Sequence, residues 1–224
     1  MFQGFTNETI DFMWNIRFNN ERSWFEAHKE TYKTVLERPM KELAQSVHSE
    51  FSSSHTDLDV RLHVSRIYRD ARRLHGNGPY KDHLWFTLQG HDESWTDKPV
   101  FWFELTPEHW SYGLGYYLAK PLTMAKLRAR IDRDSKPLTK LAKALERQGE
   151  FVLDGECYSK PKCGPEHPLS HWYNKKSFSL IHEEKVGDAL FSTDLEPRLV
   201  EGFSLLLPCY RYFSTLDGDP DPRG

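Results

Sequence analysis

Three stretches rich in Trp, Phe and Tyr, His83 to Gln89, Val100 to Thr106 and Trp110 to Leu118, follow one another through short connections. Parallel neighbours need a crossover of about a dozen residues or more, so strands joined this closely pair antiparallel. Upstream, Leu62, Val64, Arg66 and Tyr68 alternate with Arg61, His63, Ser65 and Ile67, which is strand spacing, and Gly76-Asn77-Gly78-Pro79 follows as a turn. This meander fixes the centre of the fold.

The flanks change period. Thr6 is an N-cap candidate, with Ile10, Met13 and Trp14 on one helical face; Asn19-Asn20 interrupts that helix. A second run starts near Ser23, meets a break or kink at Pro39, and continues through Leu43, Val47 and Phe51. Met124, Leu127 and Ile131, then Leu138, Leu141 and Leu145, mark two further helices, the second stopped by Gly149. Phe151 to Leu153 and Phe178 to Ile181 read as late strands. From Asp194 a helix begins with Pro197 in its first turn and carries the stripe Leu199, Val200, Phe203, Leu206, Leu207, Tyr210 and Phe213, with a kink expected at Pro208. The expected fold is α+β: a central antiparallel β-sheet with N-terminal helices, a mid-chain helical pair and a C-terminal helix. A single domain over 1–216 is expected, with 217–224 a frayed C-terminal tail.

Composition narrows the class. The 224 residues include 14 Phe, 10 Tyr and 7 Trp and are 28% charged, which excludes collagen-like, low-complexity and wholly disordered chains. No apolar run approaches the roughly 18–20 residues of a membrane span, so no membrane partner is expected. The opening Met1-Phe2-Gln3-Gly4 lacks the basic-then-apolar order of a secretory signal. Three cysteines leave at least one unpaired, which suits a reducing, cytoplasmic setting. Thirty basic against 33 acidic side chains give a net charge of −3, which disfavours a generic nucleic-acid binder while allowing a local patch.

The richest chemistry lies in Arg66-Ile67-Tyr68-Arg69-Asp70-Ala71-Arg72-Arg73 and Gly78-Pro79-Tyr80-Lys81. From Arg61 to Lys81 there are six Lys/Arg and one acid, Asp70. Guanidinium forks pair bidentately with carboxylate or phosphate, and a strand running into a Gly-rich turn can hold such an anion. The expected ligand site is Arg66, Tyr68, Arg69, Asp70, Arg72, Tyr80 and Lys81, with Asp70 orienting the arginines. Arg66 shares a strand face with Leu62 and Val64, so its guanidinium is expected to be partly buried and to need a partner; Glu104, inside an apolar strand, is the candidate. The alternative is a structural ion-pair network.

These residues also carry a resemblance. Asn19-Asn20-Glu21-Arg22-Ser23-Trp24-Phe25 with Lys29 and Tyr32, then Arg66 to Arg72 with Pro79-Tyr80-Lys81, resemble signatures of the uncharacterised family called domain of unknown function 2461. Gly113-Leu114-Gly115-Tyr116-Tyr117 with Leu127-Arg128 and Ile131, and Lys160-Pro161, His167-Pro168 and Lys176-Ser177-Phe178, are similar to two more, in the same order. The resemblance spans about Phe5 to Leu216. It implies the family's fold and carries no established activity.

Other patterns are bland. Cys157, Cys163, His167 and His171 are proper zinc-ligand types, but structural pairs follow Cys-x2–4-Cys and here the gap is five, so no metal site is expected. No cofactor is expected: Gly113-Leu114-Gly115 lacks the strand-to-helix context of a phosphate fingerprint, and lets backbone approach backbone in a sheet instead. Trp24, Phe25, Trp102, Trp110 and Tyr116 read as core. Lys120 to Arg147 holds nine basic and three acidic residues and reads as a solvated helix face. The leading expectation is therefore binding of a small anionic ligand at the sheet end. For an enzyme of unidentified reaction, Asp70 or His167 is the acid/base candidate. The alternatives are a nucleic-acid-binding module built on 61–81 and 120–147, and a structural or interaction protein with no pocket.

Overall fold

The computed structural model describes residues 2–70, 72, 78–91 and 95–224; the Gly76-Asn77 part of the expected turn lies outside them. The elements run α1 (Asn7–Phe18), α2 (Arg22–Ala27), α3 (Lys29–Tyr32), a π turn (Lys33–Glu37), α4 (Arg38–Ser54), β1 (Arg61–Val64), β2 (Leu84–Gln89), β3 (Pro99–Leu105) and β4 (His109–Tyr116). They continue with α5 (Pro121–Arg133), α6 (Lys136–Gln148), β5 (Val152–Asp154), α7 (Ser170–Tyr173), β6 (Ser179–Lys185), α8 (Asp188–Phe191) and α9 (Leu195–Ser214). The strands form a six-stranded antiparallel sheet in the order β1-β2-β3-β4-β6-β5, so the fold is α+β. Among the described residues no helix is long and apolar enough to cross a membrane.

The chain divides into two compact units. One comprises 1–88, 102–112 and 183–201; the other comprises 89–101, 113–182 and 202–224.

In the first unit, α1 starts at the expected Thr6. Thr9 accepts the Thr6 N–H at 3.2 Å and donates its hydroxyl to the Val35 carbonyl at 2.7 Å, so this buried threonine fastens α1 to the π turn. Pro39 does not break a helix. It lies in the first turn of α4, where a missing N–H costs nothing, and the irregularity falls on the preceding π turn. Met40, Leu43, Ala44, Val47 and Phe51 make the buried stripe of α4, and the rings of Phe5, Phe86 and Phe103 stack in the core.

In the second unit, Gly149 takes φ +67° and ends α6, as expected of a C-cap glycine. β5 pairs β6 with Val152 opposite Ile181 and Leu153 opposite Leu180. A Cβ on Gly115 would come within 2.8 Å of the Phe178 carbonyl, and one on Gly113 would collide with that of Leu180, so these glycines do admit close backbone approach. Trp172, Phe178 and Phe213 pack as an aromatic trio, with Phe178 and Phe213 centred 4.9 Å apart. α9 runs through Pro208, which sits exposed.

Candidate functional site

The expected strand from Arg61 to Tyr68 ends early. β1 stops at Val64, and Ser65 is held instead: its N–H donates to the Trp85 carbonyl at 2.8 Å and its hydroxyl accepts the Trp85 N–H at 3.0 Å. The inward parity changes there. Ser65 and Ile67 are buried and Arg66 is exposed, which overturns its expected burial beside Leu62 and Val64. Arg66 makes no ion pair with Glu104; the Glu104 carboxylate lies 3.9 Å from His83 Nε2.

Beyond Ser65 the chain makes a second, narrow pairing. The Arg69 N–H donates to the Pro79 carbonyl at 2.8 Å, the Lys81 N–H to the Ile67 carbonyl at 2.7 Å, and Tyr68 faces Tyr80. Asn20 clamps this ladder from the α1–α2 connection: its Nδ2 donates to the Tyr80 carbonyl and its Oδ1 accepts the Tyr80 N–H, both at 2.9 Å. Phe25 stacks on buried Tyr80 with centroids 4.2 Å apart and meets Tyr68 edge-on. A short pairing is thus made rigid by one amide and three rings, and it brings Arg69 and Lys81 together with Arg66.

Lys81 is half-buried, with its ammonium 5.7 Å from the centre of the Trp85 ring. Burial first, then the charges of Arg69 and Arg66, push its pKa down to about 8, while Glu104 pulls the other way. His63, 5.3 Å from Trp85 ring to ring, is likewise lowered, by burial and then by Arg61, Lys81 and Arg66. Lys81 and His63 thus both lie at the Trp85 ring, and the charge of Arg66 acts on both. Arg69 donates Nε to the Tyr80 carbonyl at 2.8 Å, with Nη2 3.8 Å from Asp82. Asp82 also accepts from Arg17 Nε at 2.5 Å and lies 3.1 Å from His83 Nδ1; these contacts, His83 foremost, hold its carboxyl well below the usual range. Arg17 is at the same time forked onto Glu108, and Asp82 is shared between two guanidinium groups and the His83 ring.

Asp70 pairs with Arg72 two residues away, Nη2 to Oδ2 at 2.8 Å, and the Arg72 side chain is 87% exposed. It is Asp82, not Asp70, that faces Arg69. Asp82, Asn20, Trp85 and His63 were missed by sequence reasoning; Asp82 directly follows Lys81, and that adjacency was the available signal. The rest of the reading scatters. His167, in the second unit, accepts the Leu169 N–H on Nδ1 at 3.1 Å and packs on Tyr173. Cys163 is tied through its backbone to Asn174, and Cys157 is exposed.

The basic helix α5 is engaged. Arg130 Nε meets Asp219 at 2.6 Å, and its Nη1 donates to the Tyr212 carbonyl and the Thr215 hydroxyl. Arg133 lies 3.7 Å from the same carboxylate, and Lys126 donates to the Asp217 carbonyl at 2.6 Å. The stretch read as a frayed tail thus holds ion pairs at Asp217 and Asp219.

Among known families, the one described as a conserved hypothetical protein (DUF2461) matches residues 8–212. No curated protein matches the chain.

Proposed function

The chain belongs to the DUF2461 family of conserved hypothetical proteins, and we propose that it binds a small ligand through a phosphate or carboxylate group at Arg66, Arg69 and Lys81. One observation carries the reading: the Lys81 ammonium is half-buried beside two guanidinium groups, with no carboxylate in ion-pair range among the described residues, and its pKa falls to about 8. Such a group is poised to gain an anion, because unpaired charge removed from water is costly. The exposed Tyr68 ring and Trp85 give the site an apolar wall for the rest of the ligand.

Binding an anion stabilises protonated Lys81. Affinity therefore falls as pH rises through about 8, the value in the free protein. The test is a thermal melt in phosphate or citrate against chloride of matched ionic strength, at pH 7 and pH 9.5. A saturable rise at pH 7 that shrinks at pH 9.5, and that Arg69→Met and Lys81→Met reduce, supports the reading. A rise equal to that in chloride, or one indifferent to both substitutions, refutes it.

A further inference from the structure

Glu104 interrupts the apolar strand β3. Phe103 and Leu105 on either side of it are fully buried, while Glu104 and Trp102 occupy the other, half-buried face. No donor among the described residues hydrogen-bonds its carboxylate; the basic group it approaches is His83, whose Nε2 stands 3.9 Å from Oε1. His83 turns a second acceptor toward it. The ring's Nδ1 lies 3.1 Å from Asp82 Oδ1, so in the neutral imidazole that nitrogen carries the proton and Nε2 keeps a lone pair. Two acceptors therefore stand side by side, one of them charged. A donor placed between them satisfies both, and an ammonium, with three N–H groups and a positive charge, suits a pair that includes a carboxylate.

The cations stand on the other side of the same imidazole. Arg69 Nη2 lies 3.8 Å from Asp82 Oδ1, the oxygen that holds His83, so one oxygen and one ring separate this guanidinium from Glu104. Lys81 feels Glu104 as a favourable charge, yet the two stay beyond ion-pair range. Unlike charges are thus held near each other without closing, all within the first unit. A simple anion meets the cations and is repelled by Glu104. A molecule with an acidic group at one end and an ammonium at the other answers both.

We propose that the ligand of the Lys81 site is a small zwitterion, whose carboxylate or phosphate meets Arg69 and Lys81 and whose ammonium is held by Glu104 and His83 Nε2. The inference rests on the anion-binding reading and names the class of molecule that site takes. The test compares matched pairs on the full chain by titration calorimetry at pH 7 and constant ionic strength: β-alanine against propionate, and O-phosphoethanolamine against ethyl phosphate. At least one amine-bearing member should bind roughly tenfold or more tightly than its amine-free counterpart. Glu104→Gln keeps the size of the side chain and removes its charge. It should erase that advantage, while the amine-free anion binds as well as before or better. The wild-type comparison decides alone should the variant lose its fold. An amine that adds nothing in either pair, or an advantage that survives Glu104→Gln, overturns the inference. In that case propionate or ethyl phosphate binding that still depends on Arg69 and Lys81 leaves the anion site standing. Absence of saturable binding by every one of these probes overturns both readings.

Discussion

The two basic stretches look alike in sequence and differ in how their charge is answered. Around Lys81 three cations share one field, and the carboxylate nearest Arg69, Asp82, is shared with Arg17 and His83. Along α5, Arg130 and Arg133 meet Asp219, which lies 89 positions beyond Arg130. A local count of nine basic to three acidic residues therefore overstates the charge of the second stretch, whereas in the first Arg66 and Lys81 have no carboxylate in ion-pair range among the described residues. Charge density becomes available field only after the fold has supplied or withheld counter-ions.

The largest effect should come from breaking the answered charge. Arg130 is 13% exposed at its side chain and Asp219 is 17% exposed. Arg130→Met removes three hydrogen bonds and leaves that carboxylate only the more distant Arg133, so a loss of about 2–3 kcal/mol is expected in urea unfolding. A loss below about 0.5 kcal/mol would place this pair among ordinary surface contacts. The Asp219 pKa is lowered, chiefly by Arg130, so the pair's contribution is present above the unfolded value near ~3.9 and is lost as pH falls through the folded one. Acid titration of the wild type should show that loss, and the variant should not.

Next in size is the clamp on the unanswered cluster. Asn20→Ala removes two hydrogen bonds from the Tyr80 backbone and should cost about 1–3 kcal/mol. Phosphate binding should weaken with it, because the same amide holds Arg69 and Lys81 in register. An Asn20→Ala protein that melts lower but binds phosphate unchanged would separate the clamp from the site.

The sequence disclosed the fold more fully than the site. Local pattern marked the strands, because the alternation from Arg61 to Tyr68 and aromatic runs such as His83 to Gln89 are properties of neighbours along the chain. It failed where one contact reset the parity: the Ser65–Trp85 hydrogen bonds end β1 and turn Arg66 outward, and no local pattern carries that information. Gly149 and Thr6 were legible because caps are local chemistry. Asp219 on Arg130 was not, since ion pairs across 89 positions leave no spacing to read. At the proposed site, Arg69, Tyr80 and Lys81 lie together, Asp70 orients Arg72 among the expected arginines, and Asp82 is the carboxylate that faces Arg69.

Lys81→Met tests the cost of the unanswered charge itself. The folded pKa of about 8 lies below the ordinary Lys value, so the folded state holds the proton less well than the unfolded chain. Stability should rise with pH between about 8 and ~10.4, where the unfolded chain binds the additional proton. Below that window the charged ammonium is a burden. Methionine keeps the apolar stem against Trp85 and removes the burden, so the variant should be more stable than wild type by about 1–2 kcal/mol at pH 7. The advantage should vanish near pH 10.5. A destabilised variant at pH 7 would mean that an unseen partner already satisfies this lysine.

Arg66→Met should have the smallest effect on stability and is the cleanest probe of the comparison. Arg66 is exposed, and among the described residues it makes no ion pair, so its removal should shift the unfolding free energy by no more than about 0.5 kcal/mol. Its charge still reaches Lys81 and His63 and depresses both. Without it, the Lys81 pKa should move back toward the ordinary value. The pH at which phosphate affinity falls should then rise above that of wild type, even as the affinity at pH 7 drops by roughly tenfold for one lost charge-assisted contact. A structural role predicts the reverse pattern, with lower stability and an unmoved pH profile. Measuring the phosphate-induced melting shift from pH 6.5 to 9.5 in both proteins distinguishes the two, because only a charge acting through Lys81 can displace the midpoint while leaving the fold as stable as before.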